Sequence, residues 1–225
     1  APLARLMVWD SSLVRRILRL STPAALEELT YTVSSLTVFF LIGRLGTEAL
    51  AAHQIAITAE SFSYMPGFGF AIAASTLTGQ HLGAGEKDGA FQSGCLTARY
   101  SLTVMGTMGA IFFLFPGFIS RVFTNDSNVV QLATICIRIA ALEQMPIALE
   151  QVMAGSLRGA GDTRYPFLIA LLGNWVLRLP LVVLAVVVLK WPIWSVWIIT
   201  VVDFCIRAML LVMRYRGRQW ATIIV

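Results

Sequence analysis

Six apolar runs, each roughly 20 residues or longer, recur along this 225-residue chain, and each can cross about 30 Å of hydrocarbon at about 1.5 Å of helical rise per residue. They extend from Pro23 to Ile42, Ala49 to Thr78, Ala90 to Phe115, Val129 to Leu157, Pro166 to Leu189 and Ile193 to Val212. No soluble domain needs that many. Hydrophobic residues make up 57% of the chain and charged ones only 13%, which agrees with a membrane solvent. None of the runs alternates apolar and polar positions as an outer-membrane strand does, and their Ala, Leu, Ile and Met content favours helix. The expected fold is all-α, a polytopic bundle of six transmembrane helices over 23–213. A basic amphipathic linker over 1–22 precedes it, and a tail over 214–225 follows.

Orientation follows from the placement of Lys and Arg, because positive charge is retained on the cytoplasmic side. One face collects ten: Arg5, Arg15, Arg16, Arg19, Lys87, Arg158, Arg164, Arg214, Arg216 and Arg218. The other has Arg44, Arg121 and Lys190, and the remaining four fall inside runs. The asymmetry predicts cytoplasmic termini in an inner, or plasma, membrane. It also accounts for the net charge of +5, so no nucleic-acid partner is required.

The same Gly-Ala-Gly-acid cassette joins spans two to three (HLGAGEKDGA, 81–90) and four to five (LRGAGDTRYP, 157–166). Gly159 or Gly161 suits the left-handed turn that ends a helix, Asp162 or Thr163 can cap the next one, and Pro166 is tolerated in its first turn. In the other cassette Gly83 and Gly85 stop the helix and Asp88 is the expected cap. Both read as matching cytoplasmic corners.

Ionisable groups at membrane depth are costly and therefore candidate functional groups. The acids are Glu27 and Glu28 on the first span, Glu60 on the second, Glu143 and Glu150 on the fourth, and Asp203 on the sixth. At about 100° per residue, Glu27, Glu28, Tyr31, Ser34 and Ser35 share an arc of about 120°, as do Glu143, Gln144, Glu150 and Gln151. Glu27 lies eight residues after Arg19 and Glu150 eight before Arg158, which places both about 12 Å from a cytoplasmic charge and pairs them by depth. Carboxylates brought together in a low-dielectric site share a proton or hold a cation between them. Asp203 and Arg207, four apart, together with Arg178 and its neighbour Asn174, form an expected structural ion-pair cluster. Pro66 and Pro146 are expected to bend the second and fourth spans.

LGTEALAAHQIA (45–56), the first cassette, SLRGAGDTRYP (156–166) and WVLRLP (175–180), in this order and spacing, resemble the multidrug and toxic compound extrusion (MATE) family. Its members have two six-helix lobes facing each other across a central cavity, and the resemblance places this whole chain in the second, C-terminal lobe. It implies a secondary active antiporter that exports organic cations or drugs in exchange for protons or sodium ions. No cofactor is implied, and the partners are the lipid bilayer and a first lobe that this sequence does not contain. The opening APLARLMVWDSSLVRRILRL reads as the linker into the lobe. Sodium-coupled relatives place a first-span glutamate where this chain has Tyr31, and a fourth-span aspartate near Ile147, between Glu143 and Glu150. Those ligands do not carry over; the resemblance implies similar chemistry at shifted positions, while many proton-coupled relatives use an acid of the first lobe.

Other classes find little support. His53 and His81 sit near opposite membrane faces, no nucleophile elbow or zinc motif is present, and Cys95, Cys136 and Cys205 lie singly in different spans. Neither an enzyme nor a metal site is expected. A lipid-linked precursor flippase of the same superfamily, which would line its cavity with cations, and a non-transporting six-helix scaffold are the alternatives.

Overall fold

A computed structural model describes residues 11–222, apart from the side chain of Thr222 and eleven side chains of the first helix, that of Glu27 among them. The described residues form seven helices and a short 3-10 turn, Gln219–Thr222: α1 (Ser11–Gly43), α2 (Thr47–Gly83), α3 (Lys87–Leu114), α4 (Pro116–Phe123), α5 (Ser127–Gly159), α6 (Arg164–Val188) and α7 (Trp194–Arg216). Six are long, matching the six apolar runs. The chain is an all-α polytopic membrane protein.

Among the described residues, α5, α6 and α7 are long and apolar enough to cross a membrane by themselves, and α3 joins them when taken together with α4. α2 has the length, 37 residues, but carries His53, Gln54, Glu60 and several hydroxyls, which dilute its hydropathy. α4 departs from the expected pattern. The third run ends in an 80° bend, because Pro116 disfavours helical backbone at Phe115 and starts a new helix in the first turn, where its missing donor costs nothing. Pro66 and Pro146, by contrast, sit inside helices that continue through them.

α5 occupies the centre, packing along α2, α3 and α7, while α1 closes the bundle between α2 and α6. Small residues permit the closest approach: a β-carbon at Gly155 or Gly159 of α5 would meet the backbone of Ala71 or Ser75 of α2. This is the small-xxx-small packing expected where lipid supplies no hydrophobic drive between helices.

Both cassettes fold alike. Gly85 and Gly161 have φ of +80° and +83°. Glu86 N–H then reaches His81 O at 2.8 Å and Asp162 N–H reaches Leu157 O at 2.9 Å, the six-to-one bond of a Schellman stop. The expected caps are corrected: α3 and α6 begin without a side-chain cap, and the two aspartates turn to the chain end instead. Asp162 pairs with Arg214 at 2.9 Å and Asp88 with Arg218 at 2.6 Å. Basic C-terminal side chains outcompete weak capping bonds, and in doing so they bring both corners and the end of α7 to one end of the bundle.

The apolar core divides into layers. The largest cluster includes Ile42, Ala59, Ile137, Ala140, Val182 and Trp197; a second, toward the corners, includes Ala74, Val152, Leu157, Ile169, Leu211 and Tyr215; a smaller one of Met105, Ile147, Ala148 and Phe204 lies between them. Between them α2, α5, α6 and α7 each place polar residues at mid-length, Ser63, Glu143, Gln144, Asn174, Arg178, Asp203 and Arg207, all buried. A buried polar layer enclosed by apolar layers is the feature that needs a functional explanation.

Candidate functional site

Asp203 is fully buried on α7 and organises this layer. Arg207, one turn on, donates from Nε to Oδ1 at 2.8 Å and from Nη2 to Oδ2 at 2.6 Å. Its Nη2 also donates to Asn174 Oδ1 at 2.8 Å. From α6, Arg178 Nε stands 2.9 Å from Asp203 Oδ2, an ion pair without the alignment of a hydrogen bond. The Phe204 ring lies 4.9 Å from the Arg178 guanidinium and 5.6 Å from that of Arg207, so both cations have an aromatic face. Gly173 leaves the space that the Asp203–Arg207 pair fills. Asn174 and Arg178 lie on a π-helical stretch, Gly173–Arg178, where Leu179 N–H reaches back to Asn174 O. That wider turn keeps the backbone bonded next to Pro180, which has no donor of its own.

Glu60 and Glu143 meet beside this cluster. Their carboxyl groups lie within hydrogen-bonding reach of each other and near Arg178. Glu143 is fully buried, and neither of its oxygens has a donor among the described residues. Two carboxylates are both acceptors, so they can bond only by sharing a proton. Ser63 fixes the contact by donating to Gln144 Oε1 at 2.5 Å, and Gln144 Nε2 donates to Ala140 O at 3.1 Å. Three carboxylates, Glu60, Glu143 and Asp203, face two guanidiniums. One added proton or monovalent cation neutralises the group.

The layer extends toward the open face of α1 and α2. Tyr31 lies beside Ser35 and within electrostatic range of Glu60 and Arg178, and Tyr64 lies beside Gln151 and within electrostatic range of Tyr31, Glu28 and Glu150. Gln151 and Met105 converge on Gly67. Tyr31 is 38% exposed, whereas Glu143 is 0% exposed, so the track leads from an accessible rim to a closed end.

The structure brings several of the sequence candidates together. Glu143 meets Glu60, and Glu150 and Glu28 lie within electrostatic range of Tyr64. The pair expected from equal depth, Glu27 with Glu150, involves a side chain outside the described residues. Arg178, Asp203 and Arg207 come together as expected, and His53 makes an edge contact with Trp197 at 5.5 Å. Ser63 and Phe204 carried no usable sequence signal, although Ser63 sits one turn from Glu60 on the same helix face.

The sequence model of the MatE family matches residues 23–184. The chain belongs to the MatE family. It is 32% identical to the probable multidrug resistance protein NorM of Thermotoga maritima over 94% of this chain and 45% of that protein. It is 30% identical to the protein of the same name from Xanthomonas campestris over 90% of this chain and 44% of that protein. The chain thus spans about half the length of the curated relatives it matches. Among solved structures, a MATE protein in the straight conformation superposes with a TM-score of 0.84 at 21% identity, over 93% of this chain and 47% of that one. A MOP superfamily transporter from Pyrococcus furiosus gives 0.81 at 22% identity, over 90% and 45%. At that identity the structural likeness establishes the fold, a half-length lobe of a MatE-type membrane protein.

Proposed function

We propose that this MatE chain is the second six-helix lobe of a secondary antiporter that exports organic cations or drugs, with Glu60 and Glu143 holding the coupling ion. The reading rests on the meeting of the half-buried Glu60 with the fully buried Glu143 in a polar layer that one positive charge neutralises. Arg178 and Arg207 offset two of the three carboxylates, Glu60, Glu143 and Asp203, and the excess negative charge takes a proton or a sodium ion. Tyr31, Tyr64, Glu28, Glu150 and Gln151 line the approach from the face that a first lobe would cover. An organic cation on that face competes electrostatically for the same negative charge, so its binding and that of the ion oppose each other. Alternation between two lobes then converts the competition into exchange.

Acids on the approach side also favour cation export over a lipid-linked precursor flippase. The arginines Arg178 and Arg207 are engaged by Asp203, Asn174 and Phe204 and do not form a cationic lining. In this reading both corners and both termini are cytoplasmic in the inner membrane. Cysteines introduced at Asp88 and Asp162 should then react only from that side.

The test is ion-driven uptake of a fluorescent organic cation into vesicles holding the transporter that contains this lobe. A pH step or a sodium step should drive uptake, and whichever does identifies the ion. Uptake independent of both gradients would contradict antiport.

A further inference from the structure

α3 and α7 both pack on α5 but scarcely on each other, which leaves a groove in the side of the bundle away from α1. The groove has a volume of about 410 Å³, and Leu149 and Met153 of α5 line it together with Leu102 of α3 and Val212 of α7. Toward the corner end Tyr215 closes it, its hydroxyl donating to Ala90 O at 2.9 Å. Two exposed arginines, Arg99 and Arg216, are also in the lining, and no acid is.

These two cations differ from their neighbours. Arg178, Arg207, Arg214 and Arg218 each have an aspartate partner. Among the described residues, neither Arg99 nor Arg216 has a carboxylate partner. Arg99 lies twelve residues into α3 from Lys87, at membrane depth, where an unpaired charge is costly. Helical side chains lean toward the N-terminus of their helix, which for α3 is the corner end where Arg216 stands. Both guanidiniums therefore direct their charge to the head of one apolar groove.

We propose that this groove binds an anionic phospholipid, its phosphate between Arg99 and Arg216 and an acyl chain along Leu102, Leu149, Met153 and Val212. Charge complementarity selects the headgroup, because the organic cations considered above would be repelled. The apolar lining selects a lipid over a free phosphate ion. A phosphate also matches the fork geometry of arginine and returns to Arg99 the counter-charge that the protein does not supply.

The test measures lipid retained by the detergent-purified protein in native mass spectrometry after exposure to phosphatidylglycerol or phosphatidylcholine. The unmodified protein should retain phosphatidylglycerol in preference by about tenfold or more, since each arginine near a lipid surface contributes roughly fivefold. R99Q/R216Q should lose most of that preference. R44Q/K190Q, which removes the same charge at the other end, should keep it, and R99K/R216K should keep much of it. L149W, which fills the groove with both arginines intact, should also reduce retention, so the proposal does not depend on one variant folding. Wild-type retention in R99Q/R216Q or in L149W would overturn the site. Equal loss in R44Q/K190Q would show general charge attraction instead, and full displacement by millimolar inorganic phosphate would show an ion site without a lipid.

Discussion

Asp203 binds Arg207 at 2.6 Å and Arg178 at 2.9 Å, so a single buried carboxylate joins α7 to α6 and pairs with two cations. Replacing it with Asn keeps the shape and leaves both guanidiniums without their anion. D203N is expected to destabilise the bundle by about 3–5 kcal/mol, the cost of breaking a buried ion pair from one side. Thermal unfolding of the purified variant checks this; an unchanged midpoint would show that Glu143 or water substitutes for Asp203.

The α2–α5 contact depends on the absence of a side chain at Gly159, which lies against the Ser75 backbone. G159A should cost about 1–3 kcal/mol through overpacking. Gly69, on the same α2 helix, has open space at its β-carbon position, and G69A should be neutral or stabilising by a few tenths of a kcal/mol. Comparing the folded yields and melting midpoints of the two variants separates close packing from helix propensity.

The two corner ion pairs should differ in strength. Asp162 is 6% exposed and Arg214 23%, whereas Asp88 and Arg218 are 78% and 51% exposed. A double-mutant cycle on Asp162–Arg214 should give a coupling of about 1 kcal/mol or more, and the Asp88–Arg218 cycle less than about 0.5 kcal/mol. The charge-reversed D162R/R214D chain should recover part of the stability lost by D162R alone. Equal couplings would show that burial does not set their strength.

Apolar length was enough to read six long helices, and glycine chemistry was enough to read the two corners. The ends of the third span and the corner caps were not readable, since Pro116 redirects the chain locally and Asp88 and Asp162 find partners more than 50 residues away. The site was half legible for the same reason. Polar stripes on single helices single out the acids that share a face, of which the structure buries Glu143, because the period belongs to one helix. Which acid meets which depends on the mutual rotation of packed helices, which is set by contacts such as Gly159 on Ser75 and Gln151 at Gly67. Asp203 and Arg207, four apart on one helix, were therefore readable as a pair, while Glu60 and Glu143 were not.

Gradient-driven efflux by the transporter carrying Glu60→Gln, Glu143→Gln or both, normalised to folded protein in the membrane, tests whether the Glu60–Glu143 pair holds the coupling ion. Gln keeps the size and removes the charge, so each single variant holds the pair in a state that needs no ion. Substrate binding should persist, coupled efflux should fall at least tenfold, and its dependence on pH or sodium should disappear. The double variant should be little worse than either single one, because the two carboxyls act as a unit. Efflux at wild-type rates with unchanged pH and sodium dependence in both single variants would contradict the assignment and move the coupling site elsewhere in the transporter.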